Sequence, residues 1–164
     1  MRLRHHIDTL LAFGPRDARH PEVLEKVESC LEQELQSAGG RVSKQNFETN
    51  GQWHHNIISR FGPVDGSRVV IGAHFDAYRG LPGADDNGSG VAVLLELARI
   101  LGERLVGIEF SDHSSYWRES YPAFMITGTA FYRNPRYHTP DDTANRLDYG
   151  RLASVVQAVH ALIP

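Results

Sequence analysis

Residues 68–101, RVVIGAHFDAYRGLPGADDNGSGVAVLLELARIL, constrain the fold more than any other part of the chain. Val69-Val70-Ile71 is a short apolar, β-branched run with the composition of a buried strand. His74 stands at its carboxyl end, with Asp76 two residues on. A turn-rich loop, 79–83, leads to Ala84-Asp85-Asp86-Asn87. After Gly88-Ser89-Gly90, the residues Val91, Leu94, Leu95, Ala98 and Leu101 keep helical spacing on one face. A histidine at a strand end and carboxylates ahead of a helix thus share one edge. In open α/β sheets that crevice is where ligands bind.

The flanking sequence supplies the other layers. Residues 2–13 read as an amphipathic helix ended by Gly14-Pro15. Pro21 stands in the first turn of a second helix, carried by Val23, Leu24, Val27, Cys30, Leu31 and Leu35 and stopped by Gly39-Gly40. Residues 41–48 and 55–61 read as two strands of a hairpin across Thr49-Asn50-Gly51. Residues 105–110 suit a strand or a connector, and 122–127 (PAFMIT) a second buried strand. A long irregular loop over 128–147 precedes a last amphipathic helix bearing Leu152, Val155, Val156, Val159, Leu162 and Ile163. Helices alternating with apolar strands predict a single three-layer α/β domain over residues 1–164.

Composition narrows the function classes. The chain has 164 residues, 41% hydrophobic and 23% charged, as in a soluble globular domain. Its net charge is −3, and no Lys/Arg cluster provides a nucleic-acid footprint. Cys30 is the single cysteine, which excludes an internal disulfide and a cysteine zinc site. No apolar run approaches a membrane span, and the start lacks a small-residue cleavage site. The expectation is a cytoplasmic protein, or the mature form of an exported one, without nucleic-acid or membrane partners.

Three groups carry chemistry. His74 with Asp76 has the form of a metal ligand whose second ring nitrogen is oriented by a carboxylate. Asp85-Asp86-Asn87 before a helix reads equally as an N-cap. His138 lies in the loop segment Tyr137-His138-Thr139-Pro140-Asp141-Asp142, where a lone histidine is ordinarily solvated. Their order and spacing together are much less expected by chance than any one alone. The pairs His5-His6 and His54-His55, and His160, read as surface histidines. Trp53, Tyr116 and Trp117 suit either a side-chain pocket or the core.

GAHFDAYRGLPGADDNGSG resembles the first half of the signature of the co-catalytic di-zinc aminopeptidases, the bacterial and vacuolar leucyl-type exopeptidases. SDHSSYW, YPAFMIT, TAFYRNPRYHTPDDT and LDYGRLASVV resemble that family's C-terminal third, and the N-terminal helices, GPR and residues 56–60 also fit. The resemblance implies an α/β/α fold with a mixed, mostly parallel sheet and one or two Zn2+ per chain. His74 would bind one metal, Asp86 would bridge both and His138 would bind the other. Asp76 would be the catalytic positioning group on His74, and the Asp86 region would hold a strained peptide bond. A metal-activated water would then cleave peptides at a free N-terminus. A homo-oligomer is compatible with this.

The chain also departs from the family. Members carry a Glu-Glu pair, general base and ligand, after the strand that follows the helix over 87–101, and a further aspartate ligand later. No Glu-Glu dipeptide occurs in the 164 residues, and Gly128 stands where an acidic residue is common. The chain therefore reads as an internally shortened member. Stand-ins for the base are Glu103, Glu109, Asp112, His113, Glu119, Asp141 and Asp142, or a carboxylate from a partner subunit. Three readings follow: a compact aminopeptidase-like hydrolase, a non-catalytic zinc- or peptide-binding descendant, and a deleted form with exposed apolar surface. Glutaminyl cyclisation on the same fold ranks last.

Overall fold

The computed structural model describes residues 2–49, 51–62, 69–102, 108–109, 123–126, 134–136 and 138–162. Helix α1 (Arg2–Ala12) buries Leu3, Ile7 and Leu10, a one-sided stripe at helical spacing. Gly14, at φ +91°, turns the chain out of it. Helix α2 (Pro21–Ser37) starts on proline and buries Val27, Leu31 and Leu35 at four-residue intervals. It ends with Gly39 at φ +84°, where the Gly39 and Gly40 amides reach back to Gln36 and Leu35 carbonyls.

Strands β1 (Arg41–Thr49) and β2 (Gln52–Arg60) form the expected hairpin, antiparallel from Arg41↔Arg60 to Thr49↔Gln52. Gly51 at φ +74° takes the turn position that a side chain disfavours. Only the base of the hairpin enters the core, through Ile57 and Ile58. Its tip leaves Trp53 68% exposed, so the core reading of Trp53 is wrong; Tyr116 and Trp117 lie outside the described residues.

Strand β3 (Val69–Gly72) is the centre of a parallel three-stranded sheet, with β4 (Ile108–Glu109) on one side and β5 (Ala123–Met125) on the other. The Ile126 amide bonds to the Gly72 carbonyl at 2.9 Å and extends the β3–β5 pairing to the end of β3. The next residues of the central strand therefore emerge at its carboxyl edge, with His74 among them.

Helix α3 (Ser89–Gly102) differs from expectation. Every residue from Ser89 to Ala98 is buried, so it is not a one-faced surface helix. It runs between α1, α2 and the last helix, α4 (Tyr149–Leu162), each of which covers part of it. A helix covered on several sides selects apolar residues around its circumference, and Val93, Leu97 and Ala98 are completely buried with Ala92. A short 3-10 turn (Ala144–Arg146) leads into α4, which contributes Val156 and Val159 to the same core. Among the described residues, no helix is long and apolar enough to cross a membrane.

Two histidines expected at the surface are partnered. His6 Nε2 lies 3.2 Å from Glu96 Oε1, the carboxylate that α3 brings into its otherwise apolar surroundings. His55 lies 3.2 Å from Glu28, which also accepts from Lys44 at 3.1 Å. A buried carboxylate needs such partners to offset its lost hydration.

Candidate functional site

His74, Asp86 and His138 meet. His74 Nε2 lies 3.2 Å from Asp86 Oδ1, and His138 Nε2 lies 2.9 Å from Asp86 Oδ2. One carboxylate thus presents each of its oxygens to a different imidazole. The opposite ring nitrogen of His74 is 3.2 Å from Asp76 Oδ1 and 3.2 Å from the Asp76 carbonyl. A carboxylate on the far nitrogen sets the orientation of the ring.

Local backbone explains these directions. Gly83, at φ +60°, begins a five-residue π-type turn (Ala84–Gly88) that joins α3. The peptide bond between Asp86 and Asn87 is cis. Asn87 is fully buried and donates Nδ2 to the Ile126 carbonyl at 3.2 Å, tying this turn to the end of β5. The N-cap position of this turn falls on Gly83, not on either aspartate, and both aspartate side chains are engaged elsewhere. Asp86 faces the histidines, and Asp85 accepts from Asn134 Nδ2 at 2.9 Å. The Asp85 amide bonds to Asp142 at 3.2 Å, which pins the His138 loop against the Asp86 turn. His138 itself has φ +57° and stacks flat on Tyr78, with ring centroids 4.1 Å apart and planes 2° from parallel.

Charge at the site follows from these contacts. Burial alone would lower the His74 pKa, but its bonds to Asp76 and Asp86 outweigh burial and raise it to about 10. Burial works to raise Asp86, and the two histidines overcome it, holding the carboxyl below its ordinary value. Asp85 goes the other way. Burial, with Asp142 and Asp86 nearby, raises it despite the Asn134 bond. The two neighbouring carboxyls are thus shifted in opposite directions.

Zinc bonds to nitrogen and oxygen are near 2.0–2.1 Å, so two donors on one tetrahedral ion sit about 3.3 Å apart. The His74–Asp86 separation, 3.2 Å, falls close to that edge length, the His138–Asp86 separation, 2.9 Å, is shorter, and the donor types suit zinc. Among the described residues each position has two such donors, counting Asp86 twice. Among the described residues no three His, Cys, Asp or Glu side chains converge on one metal position. Of the stand-ins for a base, Asp142 is 3% exposed and already occupied by the Asp85 amide and Asn134. Asp141 is exposed in the loop, and Glu109 lies on β4. Glu103, Asp112, His113 and Glu119 lie outside the described residues, as does Gly128.

His74 and Asp76 line a cleft of about 350 Å³ whose apolar wall includes Leu24, Leu31, Phe47, Val91 and Leu94, with Glu28 and His55 also on its lining. Sequence reasoning missed three further members of the site: Arg16, Tyr78 and Asn134. The arginine was visible only as part of GPR, and nothing in the sequence marks an aromatic or an amide as the partner of a residue some 50 positions away.

An α/β fold with a central parallel strand ending at a histidine–aspartate–histidine group is the architecture of the zinc exopeptidases. Residues 56–109 and 106–163 match the model of peptidase family M28, and the chain belongs to that family. It is 28% identical over 266 residues to "Uncharacterized protein YfbL" of Escherichia coli, an alignment spanning 91% of this chain and 82% of that protein. It is 40% identical over 87 residues to "Leucine aminopeptidase 1" of Ajellomyces capsulatus, but covers 21% of it. The fold is shared with the Legionella pneumophila LapA aminopeptidase, at TM-score 0.81, 17% identity, and 98% and 69% coverage of this chain and that one. It is shared equally with Porphyromonas gingivalis glutaminyl cyclase, at TM-score 0.76, 19% identity, and 98% and 96% coverage.

Proposed function

We propose that the chain is a zinc-dependent, aminopeptidase-like hydrolase that releases N-terminal residues from peptides. The observation that carries this is the Asp86 carboxylate, whose two oxygens each face a histidine Nε2. His74 with Asp86 would hold one zinc, and His138 with Asp86 a second. Zinc bound there supplies a water acidified toward neutral pH and polarises the scissile carbonyl. Asp76 keeps the His74 ring aimed at Asp86. The adjoining apolar cleft is suited to a substrate side chain.

The chain is also a shortened member. The alignment with YfbL runs over 266 residues, whereas this chain has 164. The two blocks of family similarity meet and overlap at residues 106–109, on and before β4. That overlap supports reading the missing segment as one directly after β4, where the family's Glu-Glu pair would stand. The three-layer arrangement and the mixed sheet of the family, with β1–β2 continuing β4-β3-β5, are the corresponding proposal for the fold. The stand-ins for a base nearest that junction are Glu109, Asp112 and Glu119, and these are the ones to substitute. The absence of a Glu-Glu dipeptide favours a second reading, metal or peptide binding without cleavage.

The test is to strip the protein with a chelator, reload with zinc, desalt and count metal, then assay release of leucine from a leucyl anilide. Zinc retained per chain, with turnover lost to chelator and restored by zinc, is the expected result. Zinc retained without turnover selects the binding reading, and no retained zinc overturns both.

A further inference from the structure

Arg16 has no exposed surface, and an unpaired buried cation is costly. Its three guanidinium nitrogens all go to backbone carbonyls. Nε donates to Phe75 O at 2.9 Å, Nη2 to Gly83 O at 3.1 Å and Nη1 to Leu10 O at 3.3 Å. The Arg16 carbonyl in turn accepts from the Ala77 amide at 2.6 Å. Phe75 lies between His74 and Asp76. Gly83 opens the turn that carries Asp86.

We propose that Arg16 is the positioning residue of the His74–Asp86–His138 site, a reading that rests on that group being the metal centre. One rigid, planar fork holds the loop of His74 and Asp76 and the turn of Asp86 at a fixed separation, with the last turn of α1 as the third anchor. A lysine, with its donors on one nitrogen, cannot span these three directions at once. Gly83 completes the arrangement. A Cβ on it would meet Asp86 O at 2.5 Å and Arg16 Nη2 at 3.2 Å, so only glycine lets its carbonyl face the fork. Asp76 and Asp142 add favourable charge at longer range. The Ala77 contact carries the same registration to Tyr78, the residue on which His138 stacks.

The experiment compares Arg16→Lys and Arg16→Gln with the parent chain. Circular dichroism reports folding, calorimetric titration with zinc reports affinity, and proton NMR of the metal-free protein reports the upfield ring-current shift of His138 over Tyr78. The expected result is folded variants with zinc affinity reduced at least about tenfold, the scale for losing a group that orients ligands, and with the His138 shift reduced. Folded variants with parental affinity and a parental His138 shift overturn the proposal, as does unfolding of both, which would make Arg16 a fold residue only. If the parent binds no zinc, the metal reading fails by itself. Loss of the His138 shift in folded variants then still supports Arg16 as the group that registers these loops, and its persistence overturns it.

Discussion

His138 Nε2 stands 2.9 Å from Asp86 Oδ2 although 52 residues separate them in the chain. The contact depends on the Asp85 amide holding Asp142, and on Tyr78 backing the imidazole. Asp86 is shared between His138 and His74, so its removal should be felt at both. Asp86→Asn is expected to abolish tight zinc retention, whereas His138→Ala should leave one weaker equivalent on the His74 side. Metal analysis after desalting, compared across the two variants, checks the difference. Equal retention by Asp86→Asn and the parent would contradict the shared role.

Leu97 is fully buried in α3, the helix enclosed by α1, α2 and α4. Leu97→Ala should therefore destabilise the fold by about 2–5 kcal/mol, the range for a buried leucine that leaves a cavity. Urea unfolding measures it. A loss under about 1 kcal/mol would mean that this helix is less enclosed than its burial indicates.

Much of this architecture was legible because it is local. The stripe Leu3, Ile7, Leu10, the Pro21 start, and Gly51 in the hairpin each follow from spacing or from a φ that one residue type adopts readily. The position of His74 was legible for the same reason, since a strand end can be read from Val69-Val70-Ile71. What was hidden depends on tertiary partners. Burial around the whole of α3 comes from three helices that its own sequence does not specify. The difference between an aspartate that caps and one that faces two imidazoles lies in a turn tied down by Asn87 and Asn134. Arg16 illustrates the point most plainly, because every acceptor it uses is a backbone carbonyl and leaves no trace in residue identity.

Asp17 offers a test by pH. Its carboxylate accepts from the Arg19 side chain at 2.8 Å, the Arg19 amide at 2.9 Å and His20 Nδ1 at 3.0 Å. The Arg19 bond is the largest cause holding its pKa well below the ordinary carboxylate range, with burial opposing. A pKa depressed by folding stabilises the native state above the unfolded value near 3.9, and that contribution is lost as pH falls through the folded value. Asp17→Asn should thus cost about 1 kcal/mol at pH 7, a net hydrogen bond's worth, with the gap to the parent closing in acid below pH ~4. Thermal unfolding from pH 2 to 7 follows it; a gap that widens toward acid would contradict the sign.

Gly90 tests the turn that aims Asp86. A Cβ there would meet Asn87 Oδ1 at 2.4 Å and Ile126 O at 2.6 Å, the two residues whose hydrogen bond ties the turn to β5. Gly90→Ala must displace one of them, at about 1–3 kcal/mol for overpacking. Zinc affinity should fall with it, because Asn87 adjoins Asp86. Unfolding and zinc titration on one sample check both, and a destabilised variant with parental affinity would separate the turn from the site.

Tyr78 supports His138 through its ring face, at 4.1 Å centroid separation. Offset aromatic pairs contribute about 0.5–1.5 kcal/mol beyond area burial. Tyr78→Phe keeps the face and should retain parental zinc affinity. Tyr78→Ala removes the ring that backs the imidazole and should weaken zinc binding about two- to thirteenfold, the fold-change equivalent of that stacking energy. Tyr78 is 44% exposed, so neither substitution opens a core cavity and both variants should unfold near the parent. A loss of affinity shared by Tyr78→Phe would shift the role from the ring to the hydroxyl, with the phenol acting on substrate or metal rather than on His138.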